Sequence, residues 1–169
     1  MVDMLLVRIV THDHGEQQSI FLKERGGPRG FPILIGAHEA HEIQRVVTHL
    51  EPPRPPTHKL LFDAVTALGA RLERIEITDL RQATFFARLV LMAPGATTPV
   101  HVDARPSDAI ALALRAGCPI HVAQDVVSAA AGEGPPPQSG TPPGGKSPKK
   151  PPTPPNDEPP TPKKKRKKE

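Results

Sequence analysis

A chain of 169 residues with a formal charge of +4 has room for one domain by length, and its 23 prolines narrow that domain further. Thirteen of those prolines fall between Pro135 and Pro162, so the composition predicts a folded domain over residues 1–131 and a disordered Pro-rich basic tail over 132–169. The net charge is −1 over 1–131 and +5 over 132–169, so the near-neutral domain does not announce a nucleic-acid surface by charge alone.

The single cysteine, Cys118, excludes an intramolecular disulfide and any cysteine-based zinc site, and its apolar setting is that of a small buried hydrophobe. The start MVDMLLVRIV has no basic n-region and no apolar run approaches a membrane span, so a cytoplasmic protein without a membrane partner is expected. With no Trp, no Tyr and 5 Phe, aromatic platforms for stacking single-stranded bases are scarce.

In chain order, Met4 to Val10 and Ser19 to Lys23 are short apolar runs around the polar HDHGEQQ, the pattern of a hairpin. Glycines 26, 27 and 30 mark a turn before FPILIG, residues 31–36, a third strand. From Ala37 to Leu50 the period changes: Ala40, Ile43, Val46, Val47 and Leu50 fall on one face of a helix that EPPRPP stops. Thr57 is placed to cap a second helix with Leu60, Leu61, Ala64, Val65 and Leu68 as its apolar stripe and Gly69 as its stop. RLERIEI and ATFFARLVLMA read as two strands, the first less regular than an ideal one, and residues 98–104, TPVHVDA, as another. Pro106 suits the first turn of a third helix ending at Gly117, and PIHVA closes the pattern as a short strand. The order β-β-β-α-α-β-β-β-α-β predicts an α+β fold, a compact single domain with a mixed, mainly antiparallel sheet and about three helices.

Four stretches carry candidate chemistry. In AHEAHE, His38, His41 and Glu42 share a helical face at spacings that could hold a divalent metal, although the second histidine of the zinc-protease pattern is replaced by Glu42; the other reading is a solvated helix face. In RPPTHK, Arg54 and His58 flank a rigid turn at a helix start, where a phosphate could bind and His58 could transfer a proton, or where both are simply solvated. In DARPSDAIALALRAG, Pro106 and Asp108 are ordinary helix-initiation residues, whereas Asp103 and Arg105 are either reactive groups or a buried pair that satisfy each other. The terminal KKKRKK fits a nuclear import signal, a salt-sensitive phosphate clamp or a solubilising tail.

FPILIG followed by Glu39-Ala40, then RPPTH, then DARPSDAIALALR with PIHV, resembles the bifunctional nuclease domain family over roughly residues 3–127. The resemblance implies a compact α+β domain, homo-oligomeric, that cleaves DNA and RNA. Matched block by block, it points to Glu39, to Arg54, Thr57 and His58, and to Asp103, Arg105, Ser107 and Asp108. The chain departs from the pattern at Lys59, where an acid is common, and at Gln82 to Phe86, where a Gly-containing turn and a Tyr are common.

The expected function is a nuclease with little sequence preference: Asp103, Asp108, His58 and Glu39 as catalytic groups, Arg54, Arg105 and Ser107 as substrate-binding groups, and a divalent cation, Mg²⁺ or Mn²⁺, as a candidate cofactor. The alternative is a non-catalytic regulatory or nucleic-acid-binding module with a basic tail.

Overall fold

The computed structural model describes residues 1–11 and 18–133. The polar loop of the first hairpin and the Pro- and Lys-rich segment, including KKKRKK, therefore lie outside the described residues, apart from residues 132 and 133. The elements run β1 (Val2–Val10), β2 (Gln18–Glu24), β3 (Arg29–Ile35), α1 (Ala37–Val47), α2 (Thr57–Ala67), β4 (Arg71–Arg81), β5 (Thr84–Met92), β6 (Val100–Ala104), α3 (Pro106–Ala116), β7 (Ile120–Val122), α4 (Gln124–Ala130) and β8 (Gly132–Glu133).

The strands form one mixed sheet in the order β6-β5-β4-β7-β1-β2-β3-β8. Every neighbouring pair is antiparallel except β4 and β7, which the α3 crossover joins in parallel. This is the α+β fold the sequence predicts. The sheet curls, because Phe31 of β3 stacks on Phe85 of β5 with ring centroids 5.5 Å apart although the two strands are far from each other in sheet order. The buried residues Ile20, Leu22, Phe31, Ile75, Ile77 and Val122 meet Ile110, Val126 and Val127 of the helices in a single core.

Local sequence explains most of the elements. The irregular alternation of RLERIEI is a register shift between Leu72 and Arg74, followed by a second between Ile77 and Asp79. The β4–β5 turn places Gln82 at φ 48° and Ala83 at φ 59°, so two residues with side chains occupy the left-handed positions that a two-residue hairpin demands. Gly30 is required by packing: an added Cβ would sit 2.5 Å from the Phe21 ring and 2.8 Å from the Leu22 carbonyl.

Four expectations are corrected. Helix α1 stops at Val47 rather than Leu50; the Thr48 hydroxyl donates to the Gln44 carbonyl, His49 turns to φ 54°, and Leu50 is exposed. Thr57 is not a side-chain cap, since Pro56 occupies that position. The stripe assigned to α2 faces outward: Leu60, Leu61 and Leu68 are exposed, and Phe62 is the α2 side chain packed against the core. Finally, α4 and β8 were not foreseen. Val126 and Val127 bury one face of α4, and β8 pairs with Arg29 and Gly30 of β3, two residues past the boundary that composition suggests.

Candidate active site

Helix α3 begins where β6 ends. Pro106 stands at its first turn, Asp108 lies in that turn against the positive end of the helix dipole, and Gly117 closes the helix at φ 65°. The run from Ala109 to Ala113 is buried, so the capped core helix read from DARPSDAIALALRAG is correct from Pro106 onward. The polar head does more than start that helix.

Arg105 donates from Nε to Asp108 Oδ2 at 2.8 Å, and from Nη2 to Asp108 Oδ1 at 3.1 Å and Glu39 Oε1 at 2.6 Å. His58 Nε2 lies 2.8 Å from the same Asp108 Oδ1. Four candidates from three separated segments therefore form one cluster, carried by the first turns of α1, α2 and α3. Two cavities flank it. One, of about 410 Å³, is lined by His38, Glu39, His41, Glu42 and His58. The other, of about 880 Å³, is lined by residues 32–36 of β3 and its end, by the β4–β5 turn, and by Arg105, Pro106 and Ser107. Arg105 borders the second cavity with its side chain 67% exposed, and its Nη1 takes no part in the contacts to Glu39 and Asp108.

The electrostatics fix the charge states. Glu39 is held below the ordinary carboxylate range first by its own backbone N–H, against the opposing effect of burial, and then by Arg105. For this contact Gly36 matters, because a Cβ there would collide with Glu39 Oε2. Burial works to raise Asp108, but hydrogen bonds and charge from Arg105 and His58 outweigh it and hold the carboxyl low. The two carboxylates in turn raise Arg105 above the usual guanidinium range. Ionised Asp108 can only accept from His58 Nε2–H, so whenever the imidazole is neutral its Nδ1 carries the lone pair.

Ser107 is buried at 7% exposure and lines the larger cavity, in the uncapped first turn of α3. Two candidates stand apart. Asp103 lies on exposed β6 opposite Arg88 of β5 and makes no hydrogen bond or ion pair within the cluster, so the expected pairing of Asp103 with Arg105 is replaced by that of Arg105 with Glu39 and Asp108. Arg54 is exposed in the segment before α2 and lines neither cavity. Lys59, at the position of the departed acid, pairs with Asp63 at 2.8 Å.

The solvated reading of AHEAHE fails at Glu42, whose side chain is 2% exposed and accepts from Arg115 Nη2 at 2.7 Å and from Arg45 Nη2 at 2.8 Å. With both oxygens engaged, Glu42 does not serve the metal site considered with His38 and His41, both of which are exposed. Burial opposes ionisation of Glu42, and Arg115 and Arg45 overcome it, so its pKa is lowered. Among the described residues no group of three His, Cys, Asp or Glu side chains could hold a metal ion. Glu39 and Asp108 do not fit a divalent cation either, because a guanidinium already occupies the space between them and pairs with both. Sequence reasoning missed Arg115 and Glu42 as a pair 73 residues apart, and no local signal reveals it.

The model of the bifunctional nuclease domain matches residues 20–133. The chain belongs to the bifunctional nuclease domain family. An uncharacterized protein of Mycobacterium tuberculosis is 40% identical over 130 residues, covering 77% of this chain and 76% of the relative. Bifunctional nuclease 1 of Arabidopsis thaliana is 30% identical over 112 residues, or 65% of this chain, and the bifunctional nuclease of Oryza minuta is 26% identical over the same length. The match spans 34% of each plant protein. All four clustered residues, Glu39, His58, Arg105 and Asp108, fall within the span matched by the bifunctional nuclease domain. Among the described residues no helix is long and apolar enough to cross a membrane.

Proposed function

We propose that this chain is a phosphodiesterase that cleaves DNA and RNA with little sequence preference, and that Glu39, His58, Arg105 and Asp108 are its working residues. The observation that carries the reading is the single carboxylate, Asp108, that engages His58 with one oxygen while both of its oxygens hold Arg105. A phosphodiester is bound by Arg105 Nη1, the Ser107 hydroxyl and the free N–H groups of the first turn of α3. Water attacks phosphorus as His58 Nδ1 takes its proton, the bond from phosphorus to the leaving ribose oxygen breaks, and that oxygen recovers the proton from His58. Arg105 stabilises the charge developing on the phosphoryl oxygens, and Glu39 keeps the guanidinium aimed. No step is routed through a metal ion, since the carboxylates are already paired.

The test uses the full chain with end-labelled single-stranded DNA and RNA, with and without a chelator, beside His58→Asn. The expected result is cleavage of both substrates that falls by about 10²-fold or more in the variant, the range lost with a general base. Equal cleavage by the variant refutes the assignment of His58. Binding of both nucleic acids without cleavage establishes instead a non-catalytic binding module.

A further inference from the structure

Strand β6 is the outermost strand of the sheet and pairs with β5 on one side only. Its other edge presents backbone N–H and C=O groups with no strand partner among the described residues, and four of its five side chains are exposed. The pleat sends His101 and Asp103 to one face and Val100, Val102 and Ala104 to the other. Neither the His101 nor the Asp103 side chain has a hydrogen-bond or ion-pair partner among the described residues. Val100 and Val102 remain 50% and 40% exposed. Pro99 and Pro106 bound the strand, so any further pairing is confined to the residues between them.

The geometry points to β6 as the seam of a two-fold symmetric dimer, pairing antiparallel with β6 of a second copy of this chain about Val102. A two-fold axis normal to the sheet keeps every side chain on its own face, so only residues of the same face can stand opposite each other. That leaves three central registers. Centring on His101 opposes two imidazoles and leaves Asp103 facing Pro99, while centring on Asp103 opposes two carboxylates. Centring on Val102 pairs all five residues: Val102 meets Val102, Val100 meets Ala104, and His101 meets Asp103 of the second copy, twice by symmetry. In each such pair an imidazole N–H donates to a carboxylate that has no other partner, and the valines leave water on the opposite face. Each copy has one β6, so this contact closes at two chains and does not propagate. The two Arg105 clusters then stand at opposite ends of the seam, six positions apart in register and roughly 20 Å by the strand rise. The inference does not depend on the nuclease reading.

Sedimentation of the full chain over a concentration series tests it. The expected species has twice the mass of the chain. His101→Asp sets carboxylate against carboxylate at both pairs and is expected to weaken dimerisation by at least about tenfold, whereas His101→Asp combined with Asp103→His restores it. In a separate variant, Val102→Cys places two thiols across the two-fold at about 4.5–5.5 Å between Cα atoms and is expected to cross-link under mild oxidation. The parent chain, with Cys118 alone, is not. A monomer at every concentration overturns the inference, as does a dimer indifferent to His101→Asp, a double variant that fails to recover, or Val102→Cys that stays uncross-linked. Far-UV circular dichroism confirms that each variant is folded.

Discussion

Asp108→Asn separates the chemistry of the cluster from its architecture. The side chain keeps its shape, loses its charge, and exchanges one acceptor oxygen for an N–H₂ donor. Three contacts depend on that carboxylate: His58 at 2.8 Å and Arg105 at 2.8 and 3.1 Å. An amide cannot keep all three contacts, because Oδ1 accepts from His58 Nε2 and Arg105 Nη2 while Oδ2 accepts from Arg105 Nε, and only one of these atoms remains an acceptor. If its oxygen faces Arg105, its N–H₂ faces His58 and selects the tautomer protonated at Nδ1, which abolishes the base. If its oxygen faces His58, that oxygen still accepts from Arg105 Nη2, but the N–H₂ is set against Arg105 Nε, which loses the bidentate hold and tilts the guanidinium away.

Either outcome removes general-base catalysis or phosphate positioning, so the expected loss in rate is about 10³-fold, or ~4 kcal/mol at 1.36 kcal/mol per decade. The cost in stability is much smaller. Arg105 is two-thirds exposed and its pair is worth little against solvent, which leaves the His58 contact at about 1 kcal/mol, or about 4 °C in Tm. Cleavage of labelled single strands is measured beside thermal unfolding. A double variant, Asp108→Asn with His58→Asn, provides the readout that a structural role would not move: if Asp108 acts through His58, the pair is slower than His58→Asn alone by less than about threefold. Additive losses, or a variant retaining half of the parent rate, refute the assignment of Asp108 as the residue that orients the imidazole. A fall in Tm beyond about 10 °C assigns it a structural role instead.

Two further substitutions probe what surrounds the cluster. Gly36→Ala suits the backbone, at φ −74° and ψ 162°, but its Cβ collides with Glu39 Oε2, the far end of a flexible side chain. The expected outcome is a protein as stable as the parent within about 1 kcal/mol, with Glu39 swung away from Arg105 and a raised KM; an unchanged KM shows that Glu39 does not aim Arg105. Glu42→Gln leaves Arg115, at 8% side-chain exposure, with the exposed Glu51 at 3.1 Å as its one anionic partner among the described residues, and is expected to cost about 3 kcal/mol in urea unfolding. The folded pKa of Glu42 is lowered, so its contribution is present above the unfolded value near 4.3 and is lost as pH falls through the folded value. The parent therefore loses stability more steeply than Glu42→Gln below pH ~4.3, and equal slopes in the two proteins show that Glu42 is not the group responsible.

What the sequence revealed follows from the range of each signal. Period and punctuation are local, and they located the first hairpin, β3 and α3 with its proline start and its left-handed Gly117. They failed on α2, where an apolar stripe is real but Leu60, Leu61 and Leu68 face away from the core; periodicity reports that a helix has two faces and not which one is buried. They failed on α4 because seven residues are too few to show a period. The charges were read as solvated for a similar reason. A carboxylate such as Glu42 can be buried only beside a partner, and its partner Arg115 arrives from the other end of the domain.

The cluster itself was legible residue by residue but not as an arrangement, and the difference changes the chemistry. Read from the sequence, Asp103 and Asp108, with Glu39 as a third candidate, are carboxylates that could hold a divalent cation or activate water. In the fold, Asp103 goes to the sheet edge, and of the three acids only Glu39, brought by α1, stays with Asp108. A guanidinium then sits between the two acids where a metal would have to be, and each acid is kept ionised by it. Two acids with one arginine carry a formal charge of −1, so the arginine offsets one of the two carboxylates. Under the proposed mechanism the arginine takes the charge-offsetting place between these acids, so activity in the presence of a chelator, rather than any change in the fold, is the measurement on which that mechanism stands or falls.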